Sequence, residues 1–231
     1  IGGAACDVAM DEAGLGFRAT RDLDIVLYVE ALDKPFVQAF WAFVREGKYQ
    51  VQQESTGERH YYRFQKPETE GYPVMLELFS RTPDALRVAD GSHLTPIPTG
   101  EDVSSLSAIL MSDAYYHFVH AGKRQLDGLS FVGPEHPIPL KARAWLNLSE
   151  RKSRGEAVDS KNIKKHRNDV FRLYQILDPL FDGEVPAAVR DDLKRFSAAV
   201  AKEEVDLRSL GLGTTDLQSV LASIGTVYRL D

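Results

Sequence analysis

The sharpest pattern in the chain is an alternation. In Asp22-Leu-Asp-Ile-Val-Leu-Tyr-Val29, the positions Leu23, Ile25, Leu27 and Val29 fall on one side, with Asp22, Asp24, Val26 and Tyr28 on the other. A period of two predicts a strand with one apolar face. Upstream, Ala4 to Ala13 favours a short helix, introduced by Gly2-Gly3 and stopped at Gly14 and Gly16. Downstream, Asp33 is placed to cap a helix whose first turn suits Pro35. Phe36, Val37, Phe40, Trp41 and Val44 then recur at helical spacing up to Gly47. Tyr49 to Gln53 and Arg59 to Gln65 read as strands joined through Thr56-Gly57, and Val74 to Phe79 is a third strong apolar run.

From Thr82 to Gly133 the pattern is less regular, with short strands expected at Leu94 to Ile97, Ser107 to Met111 and Leu129 to Val132, and a helix over Asp113 to Ala121. Beyond Pro139 the periodicity is helical throughout: Leu140 to Glu150, Lys161 to Leu177, Pro186 to Glu203 and Thr215 to Tyr228. Three prolines between Pro134 and Pro139 mark the change. The expectation is an α+β fold, a mixed sheet with flanking helices over residues 1–135 and a helical C-terminal domain over 136–231.

Composition narrows the chemistry. The 231 residues carry a formal net charge of −6, which argues against a uniformly basic nucleic-acid-binding surface. Between Lys141 and Arg172, however, ten basic residues face four acidic ones, a local net of +6 that suits phosphates or equally a solvated helix face. One cysteine, Cys6, leaves no intramolecular disulfide and points to a reducing, cytoplasmic setting. Every apolar run is broken before it could cross a membrane, so no membrane partner is expected. The chain opens at Ile1-Gly2-Gly3 without an initiator methionine, and residues upstream are expected.

Asp22 and Asp24, at i and i+2 on a strand, present their carboxylates from one face with their Cα atoms about 6.5–7 Å apart, near enough to share one or two hard cations such as Mg²⁺ or Mn²⁺. An isolated Asp-x-Asp pair more often sits at an ordinary strand start. Glu77 strengthens the case. It lies inside Val74-Met-Leu-Glu-Leu-Phe79, where a carboxylate needs a cation, a hydrogen bond or an arginine to offset the cost of burial. Met75 and Phe79, its neighbours on the same face, supply none. Gly2 and Gly3 would let backbone N–H groups approach a phosphate at a helix start, although a tight turn explains a glycine pair as well. Neither a P-loop nor a dinucleotide-binding glycine motif occurs. His117 and His120 share a helix face without an evident third ligand, and Tyr61-Tyr62 and Tyr115-Tyr116 are read as packing residues.

The order Gly2-Gly3, then Asp22-Leu-Asp24, then Leu76-Glu77-Leu78 resembles the three-motif signature of the DNA-polymerase-beta-like nucleotidyltransferase superfamily. Arg18-Ala-Thr20-Arg-Asp22-Leu-Asp24 is similar to the Arg-x-Thr-x-Asp-Leu-Asp segment of its branch that includes AbiEii-type toxins, and FVGPEHPIPLKARAWL (131–146) resembles that branch around a functional lysine, here Lys141. The family's late Lys-Asp-x-x-Asp motif falls on Asn168-Asp169-Val-Phe-Arg172, which keeps one acid and lacks the lysine and the second acid; Lys165 or Arg167 is expected to replace the charge. The resemblance implies a nucleotidyltransferase-type sheet with Asp22, Asp24 and Glu77 as catalytic metal ligands. It implies nucleotide contacts from Gly2, Gly3, Thr20, Lys141 and Asp169, with Mg²⁺ or Mn²⁺ as cofactor and a nucleoside triphosphate as substrate. The acceptor would be a hydroxyl on RNA, protein or a small molecule, and the partner a cognate antitoxin. The rival expectation is an inactive nucleotide-binding or RNA/protein-interaction module on the same fold.

Overall fold

In the computed structural model, residues 1–28, 32–53, 61–82, 94–97 and 107–230 are described. The chain forms two compact units, one made of Ile1, Gly3 and Ala19–Tyr116, the other of Gly2, Ala4–Arg18 and His117–Asp231. The secondary structure is mixed, with a mixed sheet and seven α-helices among the described residues. Helix α1 (Gly2–Glu12) is counted almost wholly with the second unit.

The first unit is built on a central strand. Strand β1 (Asp22–Val26) is followed by α2 (Lys34–Glu46), β2 (Gln50–Gln53), β3 (Tyr61–Gln65), β4 (Met75–Ser80), β5 (Leu94–Pro96) and β6 (Ser107–Leu110). β1 runs parallel to β4 and β3 runs antiparallel to it, so Glu77 has a paired strand on each side. β6 takes up Phe79 and Ser80 in parallel, β5 pairs with β6, and β2 pairs with β3.

Alternation along β4 sorts the two faces: Leu76, Leu78 and Ser80 are buried, while Met75, Glu77 and Phe79 are half-buried. The buried face packs with Phe64 of β3 and with Val37, Phe40 and Val44 of α2, and Leu23 and Ile25 of β1 join the same cluster. Phe40 meets Phe64 edge-on at 5.2 Å between ring centroids, a favoured aromatic geometry. α2 begins as its sequence demands, with Asp33 Oδ1 accepting from the Phe36 N–H at 2.9 Å and proline in the first turn. One face of the sheet is thus committed to the core. Asp22, Asp24, Arg63 and Glu77 are left on the other.

The second unit contains the hairpin β7 (Lys123–Leu126) and β8 (Leu129–Val132), then α4 (Pro137–Ser153), α5 (Ser160–Tyr174), α6 (Ala187–Val200), a short 3-10 turn at Arg208–Leu210 and α7 (Leu217–Val227). Helix α3 (Asp113–Ala121) holds the boundary between the units. Strand β7 is exposed along its length and has no alternation to announce it. Its signal is the Asp127-Gly128 turn, with φ of 47° and 82°, the positive values that a two-residue hairpin turn requires. α4 packs against α5 and α6, with Trp145 edge-on to Phe196 at 5.4 Å. Tyr228 is fully buried and its hydroxyl donates to the Glu135 carbonyl at 2.7 Å.

No described helix is long and apolar enough to cross a membrane. The expected strand end at Val29, the Thr56-Gly57 turn and residues 59–60 lie outside the described residues. Phe64 is the test of the core assignment. Phe64→Ala should cost about 3–5 kcal/mol of unfolding free energy in a urea titration, by lost burial and the cavity left behind. A cost below about 1 kcal/mol would mean that the face bearing Phe64, Leu76 and Leu78 does not carry the core.

Candidate functional site

The parallel register of β1 and β4 sets Asp24 beside Glu77 and Asp22 beside Met75, and the antiparallel register of β3 sets Arg63 beside Glu77. Register partners point to the same face, so Asp22, Asp24, Glu77 and Arg63 all stand on the face away from α2. The arginine that a strand acid needs is supplied by the neighbouring strand. Arg63 Nε donates to Glu77 Oε1 at 2.6 Å, and Arg63 Nη2 also lies against Oε1. The Glu77 side chain is only 14% exposed. Burial pushes its carboxyl above the usual carboxylate range; Arg63 pulls it down, and the negative charges of Asp24 and Asp22 push it up again.

The three predicted ligands therefore share one face and act on one another electrostatically. As the side chains stand, Glu77 is engaged by Arg63, and among the described residues no set of three or more His, Cys, Asp or Glu side chains is gathered to hold a metal ion. The donor chemistry, carboxylates on one rigid sheet face, still suits a hard divalent cation. Thr20 stands just before β1 beside Gly3, where an added Cβ would fall 2.5 Å from Thr20 Oγ1, so position 3 has no room for a side chain. Gly2 has a φ of 74°, a conformation that favours glycine.

The second unit gathers a separate charged cluster. Asp169, on α5, is fully buried. It accepts from Arg18 Nε at 3.0 Å and Nη2 at 2.7 Å, and from Arg172 Nη1 at 3.4 Å, while Lys141 Nζ on α4 lies 3.8 Å away. One carboxylate thus faces three cations. Lys141 is only 6% exposed, so it is not a solvated surface lysine. The proline-led helix start expected there is seen, with Pro137 and Pro139 in the first turn of α4. Arg167 bonds Asn168 and Glu203, and the cations ranged on Asp169 include Arg18 and Arg172, which the motif comparison had not assigned to it.

Cys6 and His166 complete this picture. Cys6 lies fully buried, its thiol pushed up to about 11 by burial, so it is not a nucleophile at neutral pH. His166 has a buried Nδ1 with no hydrogen-bond partner, and burial, then the Lys141 charge, pulls it down to about 4.

Arg63 is the residue that sequence reasoning missed. Its signal was present, an arginine inside the Arg59–Gln65 strand on the side opposite Phe64, but which acid it faces depends on a register the alternation does not encode. The Arg18–Asp169 contact, 151 residues apart in the chain, carries no local signal at all. Comparison of the chain with family models, with curated proteins and with solved structures finds no match.

Two histidines give the second unit a pH signature. His136 is buried and His166 half-buried, each with Nδ1 unpartnered, and burial lowers both to about 4 from the ordinary 6.5. Both are neutral in the folded chain, whereas the unfolded chain takes up protons below the ordinary value. Their contribution is therefore fully present above about 6.5 and is lost as pH falls toward 4. Thermal melts should decline already between about pH 6.5 and 5, before most carboxylates titrate. A flat profile across that window would show that these imidazoles are not held neutral.

Proposed function

We propose that the protein is a metal-dependent nucleotidyltransferase that moves a nucleoside monophosphate from a nucleoside triphosphate to an acceptor hydroxyl. The observation that carries the reading is the register placing Asp24 beside Glu77, with Asp22 one pleat away on the same face. It is supported by the resemblance of the Gly2-Gly3, Asp22-Leu-Asp24 and Leu76-Glu77-Leu78 segments to the DNA-polymerase-beta-like superfamily and its AbiEii-type toxin branch.

In this reading Asp22 and Asp24 would hold Mg²⁺ or Mn²⁺, with Glu77 joining them when its carboxylate turns from Arg63. A bound divalent cation would neutralise phosphate charge and polarise the reacting phosphoryl group. The chain's own contribution is positioning. Three carboxylates fixed by two paired strands present their oxygens without rearrangement of the backbone. Glu77 would be the carboxylate placed to ease deprotonation of the acceptor hydroxyl. Gly3 lies in close contact with Thr20, and the resemblance assigns both to the nucleotide, whose phosphate a helix start would favour. The resemblance also assigns nucleotide contacts to Lys141 and Asp169. RNA, a protein or a small molecule would supply the acceptor hydroxyl, and an adjacent antitoxin is the partner expected of a toxin.

A second reading has an observation of its own. Because the Arg63–Glu77 pair is complete without a metal, the same fold would also suit a binding module that does not turn nucleotide over. Metal-dependent consumption of labelled nucleotide, with and without bulk RNA, separates the two. Asp22→Asn or Asp24→Asn should lower turnover by at least a hundredfold, because loss of a metal ligand removes several kcal/mol of transition-state stabilisation and each ~1.4 kcal/mol is tenfold in rate. A twofold loss, or early melting with full residual activity, would make these aspartates structural.

A further inference from the structure

Across the polar face of the sheet, three strands set three charges in one row: Asp24 on β1, Glu77 on β4 and Arg63 on β3. Glu77 occupies the middle. Its carboxylate is drawn one way by a guanidinium in direct contact and lies, on the other side, beside the aspartate pair that repels it. Neighbouring strands are about 4.8 Å apart, so a side-chain rotation, with no movement of the backbone, separates the two arrangements. With Arg63 engaged, one positive charge already offsets part of the negative charge of Asp22, Asp24 and Glu77. A cation arriving at the aspartates meets a face partly neutralised and a third ligand already taken.

We propose that Arg63 is a built-in competitor for the divalent cation: an internal counter-ion that holds Glu77 in an ion pair and must yield it before the carboxylate set can close on a metal. The proposal rests on the reading of Asp22, Asp24 and Glu77 as a cation site. The pair is suited to such exchange because it is intermediate in exposure. Glu77 is 14% exposed and needs a partner in the metal-free protein, whereas Arg63 is 34% exposed and can return to water when displaced. Arg63 thus keeps the face folded and soluble without metal and sets a threshold of cation concentration below which the third ligand stays closed.

Mn²⁺ binding to the full chain, followed by electron paramagnetic resonance titration without nucleotide, tests this apart from turnover. Arg63→Gln should bind Mn²⁺ about tenfold more tightly than the unsubstituted chain, the order expected from removing one charge-assisted competitor. Arg63→Lys, which keeps the charge but loses the planar guanidinium fork, should fall between them and remains informative if Arg63→Gln fails to fold. Asp24→Asn should bind more weakly. If Arg63→Gln or Arg63→Lys binds Mn²⁺ no more tightly than the unsubstituted chain, the competition is absent while the cation site stands. If neither the unsubstituted chain nor the Arg63 variants bind Mn²⁺, the cation-site reading falls and the competitor role falls with it.

Discussion

The pairing of β1 with β4 is the constraint on which the first unit turns. Its parallel register, Asp22 against Met75 through Val26 against Phe79, decides both what is buried and what is displayed. Leu23, Ile25, Leu76 and Leu78 reach the core under α2 only in this phase, and the same phase brings Asp24 level with Glu77. Because side chains alternate, a slip of one residue in either strand would turn the acids into the core and the leucines into water. The hydrophobic energy of the core therefore holds the acids on one face, although the acids repel one another and contribute nothing favourable of their own.

That repulsion explains the place of Arg63. A half-buried carboxylate beside two aspartates is a costly arrangement, and a strand neighbour with a guanidinium offsets it within the sheet. The second unit solves the opposite problem, since Asp169 is one buried acid among Arg18, Lys141 and Arg172.

Much of this was legible in the chain itself. The strand at Asp22, the capped helix after Asp33 and the helices after Pro139 follow from strong periodicity and caps, and each is found within a few residues of its expected ends. Asp22 and Asp24 could be placed on one face, and Glu77 opposite Leu76 and Leu78, because alternation within a strand is local information; that the three converge depends on the pairing of β1 with β4. What was not legible depends on pairing between strands or on tertiary contact. Arg63 faces Glu77 because of register, Arg18 and Arg172 meet Asp169 through packing, and β7 exists because a hairpin turn pairs an otherwise polar segment with β8. Burial of Lys141 likewise depends on α4 lying against α5, which no pattern within α4 alone reports.

The central claim is that the carboxylates on the β1–β4 face take a metal-bound nucleotide. Calorimetric titration with a non-hydrolysable nucleoside triphosphate analogue tests it most directly, since it asks for binding without requiring that the acceptor be known. The account predicts binding that appears with Mg²⁺ or Mn²⁺, is lost on chelation, and weakens strongly in Asp22→Asn and Asp24→Asn variants that melt as the unsubstituted chain does. Binding of equal strength without a divalent cation, or unchanged in those variants, would contradict it.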